Sequence, residues 1–224
     1  MSLLPQYRHI VNPKLKHTYL SFDDEGILII KSPKVSQDYI EKLLLKKALW
    51  INRSKKKLLQ KKGRSLDFSK EHTLFFMGQE YPFKLHKQRK KRVSLTFEAN
   101  HFTLYYYQYN ETLFHKKIDN FYKEEAKEKI PPLVTKWANK MLLHPNHISF
   151  RKTKRQWGSC SSKNNLSFNT MMMKLPLPLI EYIIVHELAH IQYKHHQKKF
   201  WACIETYLPH YKSLIQELKT YTTH

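Results

Sequence analysis

The chain reads as an α+β protein, with a β-rich N-terminal region carrying one helix over residues 1–110. The remainder, 111–224, reads as a helical core, a β-hairpin and a helix bearing His-Glu-x-x-His. Three observations predict this division. Short apolar and aromatic runs separated by Gly, Pro, Asp and Asn signals fill the first half, as strands and turns do. From Leu113 onward the apolar residues change to helical spacing. The segment Leu179–Tyr193 is apolar on most sides, which suits a helix buried in a core.

Taken in order, residues 7–32 predict two strands. Tyr19-Leu-Ser-Phe22 runs into the turn Asp23-Asp-Glu-Gly26 and then Ile27-Leu-Ile-Ile30, with Ser32-Pro33 as terminator. Ser36 is placed to cap a helix whose apolar positions are Ile40, Leu43, Leu44, Ala48 and Ile51, ending near Trp50-Ile51. Lys55 to Lys57 and Lys61-Lys62 form its basic tail, where the helix dipole favours cations. Gly63 to Lys70 is a loop. Thr73–Met77 and Tyr81–Leu85 flank Gly78-Gln-Glu as a hairpin. A basic stretch with Lys87, Arg89, Lys90, Lys91 and Arg92 leads to strands Val93–Phe97 and Phe102–Tyr107, paired around Glu98-Ala-Asn100. Tyr105 to Tyr107 beside basic loops offer faces on which bases can stack. At strand positions aromatic rings pack the core and adjacent strands, and packing is the expectation here.

Phe114, Ile118, Tyr122, Ala126, Ile130, Val134, Trp137 and Met141 keep helical spacing. Pro131-Pro132 interrupts them, which predicts a kink or, as the preferred reading, one helix ending there and another beginning with proline in its first turn. After a loop, Arg151 to Trp157 alternates and breaks at Gly158. With Leu166–Thr170 it predicts a β-hairpin. Leu175-Pro-Leu-Pro178 leads into the helix Leu179–Tyr193. Gln197 to Leu208 forms another, Pro209 breaks it, and Tyr211, Leu214, Ile215 and Leu218 continue the pattern.

The chemistry sits in His186-Glu-Leu-Ala-His190. An α-helix advances 100° per residue, so residues four apart stand one turn above each other. His186 and His190 can therefore direct two imidazoles at one metal ion. Glu187 stands beside them, able to act on an activated water without being a ligand. A third ligand is needed, and His195 and His196 lie nine and ten residues past His186. The longer spacing matches H-E-x-x-H-x-x-G-x-x-H, although Tyr193 stands where that pattern has glycine. His196 is the choice and His195 the alternative. Three imidazoles suit Zn²⁺. Glu205 and Glu217 are candidates to support a ligating ring. Cys160, in a Gly-Ser-Cys turn, reads as packing rather than as a fourth ligand or a nucleophile.

Trp157-Gly-Ser-Cys160-Ser-Ser-Lys163, Leu166-Ser-Phe168-Asn169, a proline-containing link, Ile183-Ile-Val-His-Glu-Leu-Ala-His190 and His196-x-x-x-Phe200-Trp201 resemble the YgjP-like metallopeptidases. These are zincin-type proteins related in motif to the SprT and Wss1-type (WLM) metalloproteases. The N-terminal order of strand, turn, strand and helix follows the same layout, so the resemblance spans most of the chain. It departs at His195-His196-Gln-Lys, where that family usually has Asn-His-Ser-Pro. The resemblance implies a zincin-like metallohydrolase domain over 111–224, with a zinc ion on His186, His190 and His196. It makes Glu187 the general base and a peptide or protein the substrate. It also implies that the hairpin before the histidine helix is the edge on which an extended substrate pairs. Arg151, Lys152, Lys154 and Arg155 would then place positive charge near the cleft.

Forty Lys and Arg against eighteen Asp and Glu give a net charge of +22. That excess favours polyanions as partners, so nucleic acid or nucleotides stand beside peptide. Two alternative functions follow: a metal-dependent hydrolase of nucleotide or phosphate compounds, and a nucleic-acid-binding protein with a structural zinc. The four glycines of the chain leave no glycine-rich phosphate loop. Two cysteines make no disulfide framework and fit a reducing compartment. No run approaches the ~20 apolar residues of a membrane helix, and no signal peptide opens the chain. A cytoplasmic protein without membrane contact is expected.

Overall fold

Leu28, Ile29 and Ile30 are buried at the centre of a small three-stranded sheet. The computed structural model describes residues 5–23, 26–59, 66–68 and 73–223, and divides into two units, 1–61 and 62–224. In the first unit the sheet order is β1 (Tyr7–Val11), β3 (Leu28–Ser32), β2 (Tyr19–Phe22). β3 runs parallel to β1 and antiparallel to β2. Three strands thus stand where two were expected. Helix α1 (Gln37–Leu59) begins as Ser36 predicts, its hydroxyl accepting from Tyr39 N–H at 3.2 Å. It continues past Ile51 and closes a core of Leu28, Ile30, Ile40, Leu44 and Ile51. Part of the Asp23–Gly26 turn, Lys61-Lys62 and most of the 63–70 loop lie outside the described residues.

In the second unit, β4 (Thr73–Phe76), β5 (Gln79–Lys87), β6 (Ser94–Glu98) and β7 (His101–Tyr106) form a sheet of order β4-β5-β7-β6. Both expected antiparallel pairs are present, and β5 joins them by running parallel to β7. Phe76, Phe97, Phe102 and Phe121 meet edge to face or tilted on this sheet, with centroids 4.4–6.4 Å apart. Phe121 belongs to α2 (Glu111–Met141), capped by the Asn110 side chain. Asn110 and α2 lie within this second unit. Phe76, Phe83, Phe102, Phe114, Tyr122 and Phe168 belong to one apolar cluster.

α2 is one helix, not two. Pro131 and Pro132 lie inside it. The carbonyls they leave without N–H partners are those of Lys127 and Glu128, both exposed residues, so water can satisfy them. The buried stripe Ala126, Ile130, Val134, Trp137 runs past the prolines without a break in phase. Tyr122 Oη adds a long-range tie, donating to Phe75 O at 2.6 Å.

The third sheet has the order β8 (His147–Arg151), β10 (Asn165–Asn169), β9 (Gly158–Cys160). β8 is parallel to β10, and β9 is antiparallel to it. The expected hairpin therefore uses 158–160 as its first arm, not 151–157. Residues 152–157 present no apolar face to pair, and Asn169 folds them into a turn instead. Asn169 Nδ2 donates to Thr153 O, Gln156 O and Thr223 O at 2.8, 3.1 and 2.9 Å. A 3-10 turn, Thr170–Lys174, precedes α3 (Leu177–Gln192), α4 (Lys198–Tyr207) and α5 (Tyr211–Leu218). The β4–β5 turn docks on this approach: Met77 N–H donates to Met173 O at 2.7 Å and Gly78 N–H to Lys174 O at 3.2 Å. Gly78 has φ +82°, and a Cβ there would lie 2.5 Å from the Pro176 side chain. Among the described residues no helix is long and apolar enough to cross a membrane.

Candidate metal centre

α3 buries Ile183, Ile184, Val185, Leu188 and Ala189, and this orients the helix so that His186 and His190 share one face. Their ring centroids are 5.0 Å apart. After α3 the chain turns through Tyr193 to Gln197 and begins α4, which swings His196 back over that face. His196 lies 5.0 Å from the His186 ring and 4.7 Å from the His190 ring. One ring nitrogen from each of the three falls within 4.8 Å of the others. His195 is exposed and points no ring into this cluster; its carbonyl accepts from Gln197 N–H at 2.8 Å.

Aromatic side chains hold the rings in place. Phe200 is fully buried and contacts all three histidines, with centroids 4.6–5.0 Å away. Trp201 stacks on His196 at 5.6 Å and donates its Nε1–H to the His196 carbonyl at 3.1 Å. Tyr211 of α5 also stacks on Trp201, with centroids 5.5 Å apart.

The outer ring nitrogens are also engaged. His190 Nδ1 donates to Tyr193 O at 3.0 Å, which leaves its Nε2 with a lone pair. His186 Nδ1 stands 3.4 Å from Tyr182 Oη. Glu205 and Glu217, considered for this supporting role, are both exposed. His186 Nε2 and His196 Nε2 lie 3.0 Å apart. Two nitrogens held at ~2.0–2.1 Å by one tetrahedral zinc stand roughly 3.3 Å apart, so the donor set fits such an ion. Burial, reinforced by His190 and His196, pulls the His186 pKa down to about 3, and the ring is neutral. A neutral imidazole is the metal-binding form.

Glu187 is 6% exposed, and burial pushes its carboxyl up to about 8. β9 packs on α3 beside it. A Cβ on Gly158 would lie 2.6 Å from Glu187 Cγ and 2.7 Å from Oε1. The backbone of β9 can approach the carboxylate this closely only because residue 158 has no side chain. Neither Gly158 nor Tyr182 stands out in the sequence as a site residue; only the i, i+4 spacing of Tyr182 to His186 hints at the second. Cys160 follows on the same strand. It is half-buried, burial raises its thiol pKa, and it is not part of the histidine cluster. Near the start of this segment Lys152 is paired with Asp119 at 2.8 Å, and Arg151 donates to Ser159 Oγ at 3.1 Å.

Residues 16–221 match the family model described as YgjP-like, metallopeptidase domain. No curated protein matches the chain. Among solved structures it is similar to the crystal structure of the metallopeptidase zymogen of Pyrococcus abyssi abylysin. That similarity has 20% identity and a TM-score of 0.38, and covers 41% of this chain and 92% of the other. It is also similar to the metallopeptidase zymogen of Methanocaldococcus jannaschii jannalysin, with 23% identity and a TM-score of 0.37, over 40% and 93% of the two chains.

Proposed function

The chain belongs to the YgjP-like metallopeptidase domain family, and from that premise we propose a zinc peptidase with His186, His190 and His196 as ligands and Glu187 as general base. A metal-dependent hydrolase is what the family implies; the identity of the ion and the residue roles are our reading. The observation that carries it is the convergence of three imidazoles beside one buried carboxylate.

His186, His190 and His196 would hold a zinc ion, which would supply Lewis acidity, lowering the pKa of water towards ~7 and polarising the scissile carbonyl. The protein does the rest. Tyr193 O and Tyr182 Oη fix the rings of His190 and His186 from outside. Phe200 excludes water from behind them. Glu187, buried beside the histidine rings, is placed to take a proton from water and return it to the leaving amine. β9 pairs with β10 on one side only among the described residues, and an extended peptide would lie along this short strand next to Glu187. The two free cysteines accord with a cytoplasmic location, which is part of the same proposal.

Glu187→Gln is expected to retain one equivalent of zinc and to lose at least ~10²-fold in peptide turnover. His186→Ala, His190→Ala and His196→Ala should each lose the metal, whereas His195→Ala keeps it. Metal analysis beside a peptide-cleavage assay separates these outcomes. Full turnover by Glu187→Gln would refute the base; zinc retained by His196→Ala but lost by His195→Ala would exchange the third ligand.

A further inference from the structure

None of the residues around a second concavity belongs to the histidine cluster. Past the end of β5 the backbone makes one more bond towards β7, Gln88 N–H donating to Tyr106 O at 2.7 Å. The chain then folds back tightly. Gln88 Nε2 donates to Arg92 O at 3.0 Å, and Arg92 N–H to Lys90 O at 2.7 Å. This turn carries Lys87, Arg89, Lys90, Lys91 and Arg92, all exposed, and none forms an ion pair among the described residues. Lys91 and Arg92 form one wall of a groove of about 390 Å³. Tyr107, Gln108 and Leu113 line it as well. Tyr107 lies one residue past the end of β7 and is 38% exposed, unlike the more enclosed Tyr105 and Tyr106.

Concentrating five cations in six residues without an acidic partner costs self-repulsion, which a polyanion relieves. The groove adds what a charge patch alone lacks. Its volume is within the range of sites that enclose small ligands. It offers an aromatic ring and a primary amide, which can stack a base and read its edge. A flat anionic bilayer would meet the charges but not enter the groove. A duplex would present phosphates but keep its bases stacked away from Tyr107. We infer that this groove binds single-stranded nucleic acid, with one base against Tyr107 and the neighbouring phosphates on Lys91 and Arg92. The site is independent of the metal centre and of the peptidase reading.

The test is fluorescence anisotropy of the zinc-loaded full chain with a labelled oligothymidylate of roughly twelve nucleotides, a length suited to single-strand-binding grooves, titrated against salt. Log K should fall linearly with log salt. Lys91→Ala with Arg92→Ala should reduce the slope by ~1.4, the share of two phosphates on a single strand. Tyr107→Ala should weaken binding roughly tenfold at fixed salt and leave the slope alone. Lys55→Ala with Lys56→Ala removes the same charge from α1 and should change neither quantity. Equal weakening by that control, or equal affinity for a duplex with no effect of Tyr107→Ala, would overturn the site. Binding to vesicles of anionic lipid without binding to the oligonucleotide would overturn it as well.

Discussion

Gly158 carries the tightest packing constraint beside Glu187. Adding one methyl there would put a carbon 2.7 Å from Glu187 Oε1, well inside contact distance, and both backbone and helix are held by other elements. The carboxylate would have to move. Gly158→Ala is therefore expected to keep zinc and the fold but to lower kcat by roughly 10²-fold, the scale of an ångström's misplacement. KM should change far less, since the shift is at the group proposed to move the proton. A KM rise with kcat unchanged would instead make Gly158 a substrate-pairing position. At the same scale, the clustering of His196 rather than His195 follows from the turn between α3 and α4: Trp201 and Phe200 fix residue 196 over the α3 face.

Helix α2 shows how an element can override local preference. Proline in a helix interior costs ~3 kcal/mol relative to alanine, and two in succession read as a stop. Nine buried residues along one stripe, from Phe114 to Met141, hold the helix together across them. Pro132 is exposed and Pro131 half-buried. Pro132→Ala should restore one backbone bond and raise stability by about 1 kcal/mol, less than the full propensity difference because proline also restrains the unfolded chain. A urea-denaturation midpoint that falls would mean the ring makes a packing contribution. The third sheet makes a similar point. Asn169 donates to carbonyls from two distant segments, and so decides that 152–157 turns while 158–160 pairs.

Over the whole molecule, two cores form separately. The first is a handful of side chains between α1 and a three-stranded sheet. The second is continuous from Leu66 to Tyr221 and contains every residue of the histidine cluster's support. A fragment of residues 62–224 should unfold in one cooperative urea transition and bind one equivalent of zinc with the affinity of the full chain. Loss of either property would show that the first unit is needed to complete the second.

Elements were legible wherever the signal was local: the hairpin around Gly78, the Ser36 cap, the break at Pro209, and the i, i+4 histidines whose common face follows from helix geometry. The ten-residue spacing also singled out His196. Residues 152–157, the fate of Pro131-Pro132 and the division near residue 61 were not legible, because each depends on what a distant segment offers. The sequence by itself determined which side chains share one face of α3, since spacing along a helix fixes direction. Only the tertiary structure decided what stands against them — Gly158 on Glu187, Tyr182 behind His186, Phe200 beneath all three rings — because close approach between segments far apart in the chain follows from packing, which leaves no periodic trace in the residues.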